Sequence, residues 1–378
     1  MLNQMSTNLS KWSYLTIIIL NFFFFALTAF SSPKNCTEIL KVLPKNAHTL
    51  STTEHQTRVS SGDVHFVGHS DADSYAKYFA GMDNTNRQKI ALTTALFPNH
   101  GTAVDMGVGS GRGTQDLAAL NPGMQVVGVD LDPKVVAYAN EHNKVPNAKF
   151  VSGNVAEKIF PTESVEGILN SSVLHEVATF SGYNVGKVKQ ALDNQISSLK
   201  KDGILVIRDF VIPENPSKTI LLDLPTTDGK PTGEVPGLST AALFEVFARD
   251  FKSSVHPQGD IPFKKMDSPR PGFVRYELDY RTANEFILRK DYRKTTENWN
   301  RELLEEYTYM TQKEFEQEFA KRGMRTLISK PIYNPWTLEN RFKGQFYLSE
   351  RDGTPLPTQR NATFGLDGPS SDKNHAKV

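Results

Sequence analysis

The chain has 378 residues, 38% hydrophobic and 22% charged, with a formal net charge of +1. That length gives room for a large core plus an insertion or appendage, while near neutrality supplies no long-range field to gather polyanions and argues against a dedicated nucleic-acid binder. A single cysteine, Cys36, excludes an internal disulfide framework and a cysteine-rich zinc site.

Residues 14–30 form an almost unbroken apolar run, preceded by Lys11 and followed by Ser31, Ser32 and Pro33. Its length lies between a signal-peptide core and a comfortable membrane-spanning helix, and Ala29-Phe30-Ser31 places small residues where signal peptidases accept them. Lys34, Lys41 and Lys45 after the run, against Lys11 before it, lean toward a cytoplasmic placement of the domain beyond it. The segment 1–31 is therefore expected to be a membrane anchor or signal segment, and 32–70, polar and without periodicity, a tether. Within the tether His65 and His69 stand four apart, but their surroundings contain Gly68 and Val67 and offer no third ligand. No metal site is expected there.

From Asp71 the pattern turns helical through Tyr75, Tyr78, Phe79, Met82, Ile90, Leu96 and Phe97. Short β-branched runs then alternate with amphipathic stretches. Strands are predicted over 103–106, 126–130, 149–151, 167–170 and 204–208, and helices over 114–120, 133–143 (opened by Pro133) and 185–201 (with Gly203 beyond its end). That rhythm predicts an α/β fold with a doubly wound, mostly parallel sheet.

Past Pro213 the rhythm breaks over 213–310, where Pro and Gly clusters surround two expected helices at 239–249 and 283–306. This stretch reads as an inserted substrate-covering region. Its aromatics (Phe273, Tyr276, Tyr280, Tyr292, Trp299, Tyr307) and basic residues (Arg275, Arg281, Arg289, Arg293) suit an acidic or aromatic small molecule, although Glu297, Glu302, Glu305 and Glu306 balance the charge as an ordinary amphipathic cover would. The α/β domain, 71–212, is expected to resume over 311–350 with a helix at 311–322 and strands at 324–328 and 345–348. The polar segment 351–378 is expected to be a mobile tail.

The most informative motif is Val104-Asp105-Met106-Gly107-Val108-Gly109-Ser110-Gly111-Arg112-Gly113, a strand, an acid and then glycines at alternate positions. Glycine lets the backbone bend sharply and lets a ligand lie against main-chain N–H groups at a strand end. A second acid, Asp130, closes the next strand, where a parallel neighbour presents a carboxylate to a ribose. A dinucleotide loop needs small residues at its first, third and sixth positions, and counting from Gly107 or Gly109 puts Arg112 or Thr114 at the sixth.

The Asp-x-Gly-x-Gly-x-Gly order instead resembles the first motif of class I S-adenosylmethionine-dependent methyltransferases, over residues 100–212 and more loosely 311–348. The resemblance implies S-adenosyl-L-methionine as cofactor, with Asp105 and the Gly107, Gly109 and Gly111 loop around the methionine moiety, Asp130 on the ribose, and Asn154 with Val155 at the adenine. Many members have aspartate where Asn154 stands. The segment Ser171-Ser172-Val173-Leu174-His175-Glu176 resembles the lining of the active-site mouth, where His175 is a candidate catalytic base. The implied function is methyl transfer to an unidentified acceptor, a small molecule being favoured. A cytosolic cofactor favours the anchor with a cytoplasm-facing catalytic domain over export after signal cleavage. Two other readings share much of this pattern: a non-catalytic S-adenosylmethionine-binding protein tethered at a membrane, and a nicotinamide-dependent oxidoreductase.

Overall fold

A computed structural model describes residues 95–331, 337–357 and 361–368, together with Ile90 and Thr93. The described residues form two sheets within one compact unit. The larger is seven-stranded and runs in the order β3-β2-β1-β4-β5-β11-β9. Its strands are β1 (Gly101–Met106), β2 (Met124–Asp130), β3 (Ala148–Ser152), β4 (Val165–Ser171), β5 (Leu199–Phe210), β9 (Arg325–Pro331) and β11 (Asn361–Asp367). The first five pair in parallel, and β11 runs antiparallel between β5 and β9. β1 is buried along nearly its whole length, as an apolar run in a sheet covered on both faces must be.

Helices α1 (Arg112–Leu120), α2 (Pro133–Glu141), α3 (Leu174–Phe180) and α4 (Val185–Ser198) connect these strands. Their starts are written in the sequence: Asp132 accepts from Lys134 N–H ahead of Pro133, and Asn184 accepts from Gly186 N–H. Leu117, Ala118, Met124, Val126, Leu169 and Val206 fill the core on the face that Ile90 and Phe97 also pack against. The remainder of the expected lead-in helix, and the segments 1–31 and 32–70, lie outside the described residues. Among the described residues no helix is long and apolar enough to cross a membrane.

The inserted region, joined by a strand from the later segment, builds a second, antiparallel sheet in the order β10-β6-β8-β7, from β6 (Thr219–Pro225), β7 (Lys264–Asp267), β8 (Phe273–Asp279) and the later β10 (Tyr347–Ser349). Helices α5 (Thr240–Asp250), α6 (Tyr280–Arg289) and α7 (Thr296–Glu302) cover it, and Phe244, Phe247, Phe286, Tyr276 and Trp299 make it a core of its own. After it α8 (Gln312–Lys321) opens with a capping box, Thr311 and Glu314 each satisfying the other's backbone N–H.

Three expectations are corrected. The strand near 345–348 does not complete the main sheet but pairs with β6 in the second one. The main sheet is completed from the segment expected to be a mobile tail, because Phe364 and Leu366 alternate along β11 and bury fully. The single helix at 283–306 is two, since α6 ends at Arg289 and the Thr295 hydroxyl starts a new helix by accepting from Asn298 N–H.

Candidate active site

The sheet order reverses between β1 and β4, and the carboxyl ends of the strands on either side of such a point leave a crevice. Here the crevice is lined by Gly107, Asp130, Leu131, Asn154, Val155, Ala156, Val173, Glu176, Val177 and Phe180. Four of the residues singled out in sequence, Gly107, Asp130, Asn154 and Val155, thus meet in one place although they follow three different strands.

Its floor is the glycine loop. Gly107, Gly109 and Gly111 all take positive φ, at 76°, 52° and 75°. A β-carbon on Gly107 would stand 2.5 Å from Val173 Cγ2, and one on Gly111 would stand 2.8 Å from Ala139 Cβ. The loop therefore needs glycine twice over, for backbone conformation and for the close approach of α3 and α2. The loop amides are organised by the second acid: Asp130 Oδ2 accepts from Gly109 N–H at 3.3 Å and Oδ1 from Asp132 N–H at 3.0 Å.

Burial pushes the Asp130 carboxyl up to about 6 against those amides. Asp105 lies beneath the loop rather than in the crevice lining, accepting from Thr114 Oγ1 at 2.7 Å, and burial pushes it up to about 7. Asn154 faces the crevice but spends Oδ1 on Ala156 N–H at 3.0 Å, closing the turn after β3. Its Nδ2 donates to Glu157 at 3.3 Å.

His175 is placed differently from its expected role. Its Nδ1 meets Asp209 Oδ1 at 2.8 Å and its Nε2 meets Glu305 Oε1 at 2.9 Å, with the side chain 4% exposed. Burial disfavours the charged ring, but the two carboxylates outweigh it and hold the pKa well above the usual value. With both ring nitrogens donating, the imidazolium has no lone pair with which to take a proton, so the catalytic-base assignment is corrected to a buried cation tying α3, β5 and the insertion together.

Asp209 works as a remote cap, since its Oδ2 accepts from Leu174 N–H at 2.8 Å and His175 N–H at 3.1 Å, where α3 has no side-chain cap of its own. Beside it Glu176 is a lining residue whose carboxyl is pushed up to about 8, first by burial and then by the nearby Glu305 charge. Ligand-type atoms of His175, Glu176 and Glu305 lie within 4.8 Å of one another, with His175 Nε2 engaged by Glu305 Oε1 at 2.9 Å.

Glu176 was legible only as part of the segment resembling the active-site mouth, and Asp209, one residue past the predicted strand 204–208, carried no signal of its own. Glu305 had no local signal at all, being 130 residues from its partner. Most basic residues of the insertion are consumed internally: Arg275 pairs with Asp223, Arg281 with Glu306, Arg289 with Glu285 and Lys290 with Asp291.

A family model described as a methyltransferase domain matches residues 104–207, from the β1 acid to near the end of β5. The chain carries a class I S-adenosylmethionine-dependent methyltransferase domain. The chain is an S-adenosylmethionine-dependent methyltransferase with that molecule as its cofactor. No protein of curated function matches the chain.

Among solved structures, similarity is found to the putative methyltransferase in complex with the Trm112 methyltransferase activator of Haloferax volcanii, at 12% identity over 81% of this chain and 100% of that one, with a TM-score of 0.44. The YcgJ protein of Bacillus subtilis matches at 14% identity, covering 75% and 99% with a TM-score of 0.40. A putative S-adenosylmethionine-dependent methyltransferase of Listeria monocytogenes matches at 11% identity, covering 76% and 100% with a TM-score of 0.39. Likeness at that level says nothing of the acceptor.

Proposed function

We propose that the methyltransferase domain acts on a small-molecule acceptor, and that residues 1–31 hold it at a membrane with the domain on the cytoplasmic side. The observation that carries the first part is the convergence of Gly107, Asp130, Asn154, Val155 and Glu176 on one crevice at the carboxyl ends of parallel strands, next to side chains delivered by the insertion.

The donor chemistry fits the cofactor. Asp130 presents an acceptor carboxylate suited to a pair of ribose hydroxyls. The positive-φ loop offers main-chain amides to the methionine part, with Asp105 bracing the start of α1, and Asn154 with Val155 frames the adenine. Bound there, S-adenosylmethionine supplies an electrophilic methyl carbon on a sulfonium. The chain's own task is then to place an acceptor lone pair in line with that carbon and to keep water out. A base is needed only where the acceptor atom carries a proton that must leave. Among the lining residues the titratable groups are Asp130 and Glu176, and Glu176 lies on the α3 wall beside the insertion.

The test is incubation of the chain with methyl-labelled cofactor and, separately, low-mass cell extract, protein and RNA. The proposal expects label in the low-mass fraction. Label confined to protein or RNA contradicts it. The anchor is supported by the apolar run 14–30 and the lysine bias after it. Membrane fractionation tests it, and a shortened soluble species in the exported fraction would count against it.

A further inference from the structure

Arg208 stands near the carboxyl end of β5, beside Ser171 in the β4 pairing. Its Nη1 donates to Ser172 Oγ at 2.8 Å and reaches Ser171 Oγ only at 3.5 Å. Among the described residues its guanidinium meets no carboxylate. The contrast with the rest of the molecule is sharp: Arg112, Arg249, Arg270, Arg275, Arg281, Arg289, Arg293, Arg322, Arg325, Arg341 and Arg351 all make ion pairs.

The adjacent acid does not serve Arg208, because Asp209 spends its oxygens on the amides of Leu174, His175 and Phe210, on the His175 ring and on Tyr309. Partial burial lowers the Arg208 pKa to about 10, the direction expected of a cation with little charge to offset the loss of water. A guanidinium has five N–H donors in a planar fork, and hydroxyls of two serines leave most of them free.

The location is specific. Ser172, at φ 61°, turns the chain directly into Val173, which lines the cofactor crevice and packs over Gly107. Two residues beyond Arg208, the half-buried Phe210 stacks on Tyr307 of the insertion with centroids 4.7 Å apart. A planar cation with unfilled donors thus stands on β5 two residues before Phe210 and bonds the turn that leads into the crevice-lining Val173.

We infer that Arg208 binds a carboxylate of the methyl acceptor, which makes the acceptor class an aromatic acid. This rests on the small-molecule reading proposed above. A carboxylate presents two coplanar oxygens that match the guanidinium fork, and charge-assisted bonds of this bidentate kind are the strong ones.

Benzoate and its uncharged isostere benzamide are the probes, titrated by calorimetry into the full chain loaded with S-adenosylhomocysteine, for wild type, Arg208→Gln and Arg208→Lys. Wild type is expected to bind benzoate at least tenfold more tightly than benzamide. Arg208→Gln is expected to lose that preference, Arg208→Lys to keep part of it through charge without the fork, and both to bind S-adenosylhomocysteine within twofold of wild type, which certifies that they are folded. Benzoate bound no better than benzamide by wild type, not bound at all at millimolar concentration, or bound equally by Arg208→Gln overturns the inference. If wild type binds S-adenosylhomocysteine and label from the methylated cofactor goes only to protein or RNA, the small-molecule reading fails instead.

Discussion

Gly107→Ala probes a tight joint of the crevice at the strand ends. The residue sits at φ 76°, and the new β-carbon would lie 2.5 Å from Val173 Cγ2 and 2.9 Å from Val173 Cβ. Left-handed backbone costs an alanine about 1–2 kcal/mol. Forcing a methyl group against a buried β-branched side chain costs about 1–3 kcal/mol more, since Val173 has few rotamers in which to retreat. The variant should therefore lose about 2–5 kcal/mol of stability, a large share of an ordinary domain's total of about 5–15 kcal/mol.

Val173→Ala alone should cost roughly 2 kcal/mol by removing buried methyl groups. In Gly107→Ala with Val173→Ala the Cγ2 contact disappears, while the 2.9 Å approach of the residue-173 Cβ and the backbone part stay, so the double variant should be more stable than the sum of the singles by about 1–2 kcal/mol. Urea unfolding of the four proteins measures this, and titration with S-adenosylhomocysteine should show weaker binding by Gly107→Ala alone than by the rescued pair. Additive losses, with a coupling below about 0.5 kcal/mol, would refute the claim that loop and α3 are locked by this contact.

Three further outcomes are expected. Asp130→Ala should weaken S-adenosylhomocysteine binding by about 2–4 kcal/mol, roughly 30-fold to 1,000-fold, through lost charged hydrogen bonds. In the unaltered protein the same affinity should fall as pH drops below about 6, because the raised pKa leaves Asp130 protonated there; apoprotein stability contributed by this group moves the other way, rising as pH falls from about 6 toward its unfolded value of 3.8. His175→Gln should lower stability by about 3–5 kcal/mol by leaving Asp209 and Glu305 facing each other unneutralised; a fully stable but inactive variant would restore the catalytic-base role. Removal of residues 358–378 should abolish folding, because Phe364 and Leu366 are fully buried and each is worth about 2–5 kcal/mol; a truncated protein with an unchanged melting temperature would contradict the place of β11 in the sheet.

The parallel half of the sheet was legible because its strands are short, β-branched and bounded by capping residues such as Asp132 and Asn184, signals that act within a few positions. The shape of the glycine loop was legible for the same reason, since one strand end, one turn and one acid carry it. What was missed is non-local. β11 looks like a polar tail because Asn361, Thr363 and Asp367 alternate with its apolar residues, and only β5 and β9 on either side turn that alternation into a buried strand.

The short β10 run offered no hint of which sheet it would join, because both sheets accept an antiparallel edge. His175 was read from its neighbours in the chain, and its chemistry is set by residues far from it. Asp209 and Glu305 reach it across 34 and 130 positions and fix its proton.

The most direct test of the central claim is calorimetric titration of the chain with S-adenosylhomocysteine, with NADH as the control. One-to-one binding of S-adenosylhomocysteine in the micromolar range, with no heat from NADH, is the predicted result. No binding of S-adenosylhomocysteine, or tighter binding of NADH, would contradict the assignment of the glycine loop and Asp130 to that cofactor.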